Sequence, residues 1–315
     1  MSVRWIGFAL LALLSLHVPR AAADPRDPVR LRVGTQAIDG SRYMKDILAL
    51  GEEIEKRTRG SVQLDWVSGG QLGDETAMAD LIARGKLDGG GFSETGLVAL
   101  VPEMAVWRAP GLFRSYEEVD RATAAVDGAV RELFAKRGLT FAMWADLGFS
   151  HVFSTAPITS VRDVLHRAAP WIALPLDGTL TEAVTSGRAR AWTMPPLYML
   201  AIGTRKVRAM SDLRYRYVAG GLVFSRPAWA RLTSAEQKTV LAVCHEREPR
   251  IRASWRKETE RGIDALRKSG VVITASSETE RAAFADAASK SREAQPHEPG
   301  LAELGAEVRA AIEAR

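Results

Sequence analysis

A strand that stops at two glycines and a helix that starts at an aspartate a few residues later restrict this chain more than any other feature. Val62, Leu64 and Trp66 alternate with Gln63 and Asp65, the pattern of a strand buried on one face. Gly69-Gly70 break that strand, and Leu72-Gly73 lead into Asp74, placed to cap a helix with Met78, Leu81 and Ile82 on one side. Gly85 closes the helix, and Leu87-Asp88-Gly89 opens the next strand. Strand, Gly-rich loop, helix and strand make one βαβ unit. Such a unit meets its ligand at the carboxyl ends of its strands. Phe92, Ser93 and Glu94 follow the second strand and are therefore candidate ligand contacts.

The flanking chain continues in the same style. Val29, Leu31 and Val33 predict a first strand ending at Gly34, and Ser41 caps a helix carrying Met44, Ile47, Leu48 and Ile54. Leu97 to Val101 reads as a short buried helix closed by Pro102. Ser115 and Glu118 form a capping box before the stripe Val119, Ala122, Val126, Val130 and Leu133, and Phe141 to Trp144 is an apolar strand. The box recurs at Thr179/Glu182, Thr233/Glu236 and Ser277/Glu280. The helical region after Thr233 is expected to break near Pro249 and to run on through Trp255, Ile263 and Leu266 to Gly270. The tail from Glu293 is expected to be a loosely attached helix.

Composition narrows the class by exclusion. The 315 residues are 46% hydrophobic and 26% charged, enough to build one large or two medium domains. The net charge of +5 falls to +3 once Arg4 and Arg20 leave with a leader, and it is dispersed, so nucleic-acid binding is not expected. The leader reading rests on Arg4, an apolar run from Trp5 to Leu16, and Ala21-Ala22-Ala23 before Asp24; residues 1–23 read as a cleaved signal peptide. Cys244 is the single cysteine, which excludes an internal disulfide and a Cys-clustered metal site. No Walker loop, GxGxxG or GxSxG motif occurs. Ser150 and His151 would point to opposite faces of a strand and cannot pair as a dyad. Neither a cofactor, a metal nor an enzymatic activity is expected.

Several motifs in one order carry a family resemblance from Leu31 to Val271. Ser68-Gly69-Gly70-Gln71-Leu72-Gly73-Asp74-Glu75 with Gly85-x-Leu87-Asp88, then Ala109 to Arg114, Pro157 to Val164, Glu182 to Gly187, and the Ser225, Trp229, Leu232, Gln237 pattern resemble the periplasmic solute-binding proteins of TRAP transporters, DctP-like type. The resemblance implies an α/β, two-lobed, type II-like binding-protein fold with a long lobe-spanning helix. It assigns 29–145 plus 218–245 to lobe I, 146–217 plus 270–292 to lobe II, 250–269 to the spanning helix and 293–315 to a tail. Lobe II is expected to be reduced, because only a short segment separates Val164 from Pro175. The resemblance implies the periplasm, a small-molecule solute, TRAP-type permease subunits as partners, and a monomer.

Three departures bear on the ligand. Ser150 stands where the family carries a carboxylate-binding arginine, in Gly148-Phe149-Ser150; the segment carrying the family's principal arginine is missing; and Arg190 replaces an expected aspartate. A serine offers one donor and no charge, whereas arginine matches a carboxylate with two parallel hydrogen bonds. The solute is therefore expected to be either a less charged, partly apolar compound among Phe92, Trp144 and Trp192, or an acid held by Arg190 or Arg108. The plainer reading of Arg190, and the one preferred, is a solvated strand-edge residue. Trp192 and Thr193 lie at a strand end where the family contacts its ligand. The full candidate set is Phe92, Ser93, Glu94, Trp144, Ser150, Arg190, Trp192 and Thr193. The alternative is a degenerate scaffold acting as a periplasmic interaction or sensory protein, which would show a cleft filled by side chains.

Overall fold

A computed structural model describes residues 27–172, 178–293 and 299–314. The predicted signal peptide lies outside the described residues. The chain runs β1 (Val29–Thr35), α1 (Arg42–Arg57), β2 (Val62–Val67), α2 (Glu75–Ala83), β3 (Gly89–Ser93) and α3 (Glu94–Leu100). A 3-10 helix (Pro102–Arg108) leads to α4 (Tyr116–Lys136) and the long β4 (Leu139–Ser154). Then come α5 (Val161–Ile172), α6 (Gly178–Ser186), β5 (Ala191–Met194), α7 (Pro196–Ile202), β6 (Ala209–Ser211) and β7 (Arg216–Ser225). The chain closes with α8 (Arg226–Trp229), α9 (Ser234–Lys268), β8 (Val272–Thr274), α10 (Glu278–Glu293) and α11 (Pro299–Glu313).

The strands form one mixed sheet in the order β2-β1-β3-β7-β4-β6-β8, with β5 also on β4. β1 lies between β2 and β3 and is parallel to both, so β2 and β3 run parallel as the βαβ reading requires. The local signals hold. Asp74 accepts from Ala77 N, Ser41 from Met44 N, and Thr233 with Glu236 closes a full capping box. Each such cap contributes about 1 kcal/mol. Gly69 and Gly70 have φ of 63° and 74°, where a side chain would be strained.

Two strands carry the chain from one end of the sheet to the other. β4 pairs with β7 from Leu139 to Ser150, then with β5 from His151 to Ser154. Apolar cores lie on both faces of the first end. Trp107, Phe113, Trp144 and Tyr217 pack on one face, and Leu31, Val33, Leu222 and Trp255 on the other. A separate core at the far end holds Phe153, Trp192, Met194 and Leu266.

Two expectations are corrected here. α9 does not break at Pro249 but runs 35 residues as one helix. Proline forfeits one backbone bond, yet Val240, Val243, Ile251 and Trp255 sit in one core and Leu266 in another. Burial of both ends, about 1.5–3 kcal/mol per large side chain, outweighs a local cost of about 3 kcal/mol. The tail is not loosely attached either: α11 packs on α4 and the 3-10 helix, with Leu304 and Val308 buried in the first core. The proposed Thr179 cap involves a side chain outside the described residues.

Candidate functional site

A cavity of about 430 Å³ opens where the carboxyl ends of β1 and β3 face the crossing strands β4 and β7. That volume lies in the range of about 300–1,000 Å³ typical of small-molecule sites. Gln36, Phe92 and Ser93 come from the βαβ side; Met143, Ala145 and Leu147 from β4; Leu222 from β7. α1 contributes Tyr43 and Ile47, α9 contributes Ile251, Trp255 and Glu258, and α7 contributes Leu197, Tyr198 and Ile202. The wall is mainly aliphatic and aromatic. Tyr43 and Trp255 meet edge to face at 4.5 Å between ring centroids, and Trp255 Nε1 donates to Asp46.

Charge at this wall is sparse and committed. Arg42 is the one cation lining the cavity among the described residues, and it is paired with Asp46 at 2.9 Å. Glu75 is buried and accepts from Ser93 N, Ser93 Oγ and Gly96 N at 2.8, 2.6 and 2.8 Å. Burial pushes its carboxyl up to about 7, against the pull of those three donors. Glu258, half-buried, pairs with Arg261 at 3.2 Å.

The candidate residues divide sharply. Phe92 and Ser93 line the cavity. Glu94 is 1% exposed and lies 2.9 Å from Arg216 Nη1, off the cavity wall. Ser150 is buried directly opposite Arg216 in the β4–β7 ladder, and its hydroxyl has no partner among the described residues. Thr193 is likewise buried with an unpartnered hydroxyl. Trp144 is not at the cleft. It packs against Trp107 and Phe141 in the first core and donates Nε1 to Asp127. Trp192 is also a core residue, stacked on Phe153. Both face inward because strand pairing, invisible locally, sets which side of the sheet they occupy. The Arg190 side chain is exposed and away from the cavity. Arg108 is half-buried with Glu94 and Arg216 as charged neighbours, and burial lowers its pKa.

The sequence reading missed Gln36, Tyr43, Leu197, Tyr198 and Trp255. Gln36 follows the carboxyl end of β1, so the strand-end rule that selects Phe92 would have found it. The others sit on helices whose apolar faces look like ordinary core.

Where β4 crosses, a buried charge network ties four elements together. Asp146, 1% exposed, receives Arg252 Nε at 3.1 Å, Arg256 Nε and the Tyr217 hydroxyl. Both arginines also reach Asp120 on α4. Arg256 lies over the Tyr116 ring, 4.4 Å from its centroid.

The family model for "Bacterial extracellular solute-binding protein, family 7" (DctP) matches residues 33–167 and 205–295. The chain belongs to this family. Solved structures carry the same fold. A TRAP periplasmic solute-binding protein from Ralstonia eutropha H16, with bound (S)-2-acetolactate, superposes with a TM-score of 0.79 at 17% identity, covering 92% of this chain and 100% of that one. The Polaromonas sp. JS666 protein bound to D-erythronate gives 0.76 at 22% identity, covering 91% and 98%. The uncharacterized protein YiiZ of Salmonella typhimurium is 30% identical over 130 residues, 40% of each chain, so the chain spans about two-fifths of the length of that curated relative. The α/β expectation therefore holds, with a single mixed sheet that matches two-lobed TRAP solute-binding protein structures.

Proposed function

We propose that this protein captures a small solute in the cleft between its lobes and delivers it to a TRAP-type membrane permease. The observation that carries the reading is the cavity of about 430 Å³, lined from both ends of the sheet. A degenerate scaffold would have that space filled by side chains. Residues 29–145 with 218–245 form the first lobe and 146–217 with 270–292 the second, with 250–269 spanning them. Closure is a hinge motion about β4 and β7. The protein works as a periplasmic monomer, exported by cleavage before Asp24. The relatives of known structure bind acetolactate and erythronate, and a small organic molecule of that size suits this cleft.

The test is native mass spectrometry of the leaderless protein before and after mild denaturation. A released small molecule is expected. Added back at a hundred times its dissociation constant, it should stabilise the fold by about 2.7 kcal/mol. No adduct, and no melt shift across organic acids, sugars and aromatic compounds, would defeat the proposal.

A further inference from the structure

The cavity wall offers acceptors where a bound carboxylate would need donors. Arg42 gives Nε and Nη2 to Asp46 at 3.0 and 2.9 Å, and Nε also reaches Ser254 at 2.9 Å. Arg108 and Arg190, the cations expected from the sequence to hold an acid, do not line the cavity. Gln36 is spent in the same sense. Its Nε2 donates to Gly73 O at 2.7 Å and to Met78 Sδ at 3.5 Å, which leaves Oε1 as an acceptor. Ser93 Oγ donates to Glu75. Trp66 Nε1 has no partner among the described residues, but it is buried and turned toward Gly51 of α1, where an added Cβ would meet it at 3.3 Å.

The two carboxylates on the wall differ. Glu75 already accepts three hydrogen bonds, from Ser93 N, Ser93 Oγ and Gly96 N. Glu258 pairs with Arg261 at 3.2 Å, and the two side chains are 30% and 65% exposed. A pair so open to water contributes little, so Glu258 keeps its capacity for a second cation. It follows Trp255 by about one turn of α9 and therefore shares its face. Trp255 meets Tyr43 edge to face at 4.5 Å, and the charge of Glu258 is felt at the Tyr43 hydroxyl. One end of the cavity thus combines a carboxylate with two electron-rich rings. Such rings attract cations, tryptophan most strongly, and more so away from water.

Resting on the solute-capture reading, we infer that the cavity takes an organic ammonium with an apolar body, its cationic end held by Glu258 and the Tyr43–Trp255 pair. An ammonium only donates, which suits a wall that chiefly accepts. A carboxylate would approach Glu258 and Glu75 while Arg42 stays committed to Asp46. The apolar body lies against Phe92, Leu147, Leu197 and Ile251. The ligand charge is then the reverse of that in the acetolactate and erythronate complexes.

The test uses three probes on one skeleton, 3-phenylpropylamine, 3-phenylpropanamide and 3-phenylpropanoate. They are titrated calorimetrically into the leaderless wild type and Glu258→Gln at about pH 8, where Glu75 has lost its proton. For the wild type the amine is expected to bind about tenfold or more tightly than the amide or the acid. In Glu258→Gln, a partly exposed position, the preference for amine over amide should fall to within about threefold. Wild-type binding of the amide or acid as tight as the amine overturns the inference while leaving solute capture intact. An undiminished preference in Glu258→Gln overturns it too. If no probe binds but the native protein releases a molecule, that molecule's charge decides: an ammonium supports the inference, and an acid or a neutral compound overturns it. If no probe binds and nothing is released, solute capture fails and the inference with it.

Discussion

Replacing Asp146 by alanine should remove the anchor of the strand crossing. Its carboxylate is 1% exposed and serves Arg252, Arg256 and Tyr217 at once. Arg252 and Arg256 are themselves only 10% and 18% exposed. Deleting one member of a buried pair leaves the partner's charge uncompensated, which costs about 3–5 kcal/mol. Asp120 offers an internal control, because it meets the same two arginines but its side chain is 49% exposed. Asp120→Ala should cost less than about 1 kcal/mol. At about 2–4 °C per kcal/mol for a chain of this size, Asp146→Ala should lower Tm by on the order of 10 °C. Urea unfolding followed by circular dichroism measures both variants. A loss below about 1 kcal/mol for Asp146→Ala, or equal losses for the two, would refute the assignment of the network's strength to burial.

Further outcomes follow from other sites. Glu75 has a folded pKa of about 7 against an ordinary 4.5, so between those values the folded chain keeps a proton the unfolded chain has lost. Its contribution is therefore fully present below about pH 4.5 and is lost as pH rises to about 7, a fall of up to about 3 kcal/mol; Glu75→Gln should flatten that part of the stability profile, and an unchanged slope would count against it. Gly89→Ala should destabilise by about 1–3 kcal/mol, because the added Cβ would meet the Val223 carbonyl oxygen at 2.5 Å; a wild-type melt would contradict this. Truncation after residue 298 removes Leu304 and Val308 from the core and should cost about 3–5 kcal/mol, read as a lower Tm with new dye-binding surface; an unaltered Tm would mean α11 does not contribute.

What the sequence disclosed was what local chemistry controls. Asp74, Ser41, Thr233 and Ser277 cap the helices they were expected to cap, because a cap depends on residues three positions away. That β2 and β3 run parallel in one sheet followed from the βαβ order, and Phe92 and Ser93 from the strand-end rule, whereas the insertion of β1 between those two strands did not. The rest depends on contacts distant in sequence. Trp144 and Trp192 look like cleft residues until the ladder turns them into cores. Trp255 enters the cavity only because α9 packs across α1, and Pro249 is tolerated only because both halves of α9 are buried. The Arg216–Glu94 pair joins residues that no local pattern connects.

The most direct measurement is a crystal structure of the leaderless protein with the molecule it releases on denaturation. The account predicts electron density between the lobes, against Phe92, Leu197 and Trp255, with the two lobes closed over it. Density elsewhere on the surface, or a fully occupied protein whose cleft is empty, would contradict it.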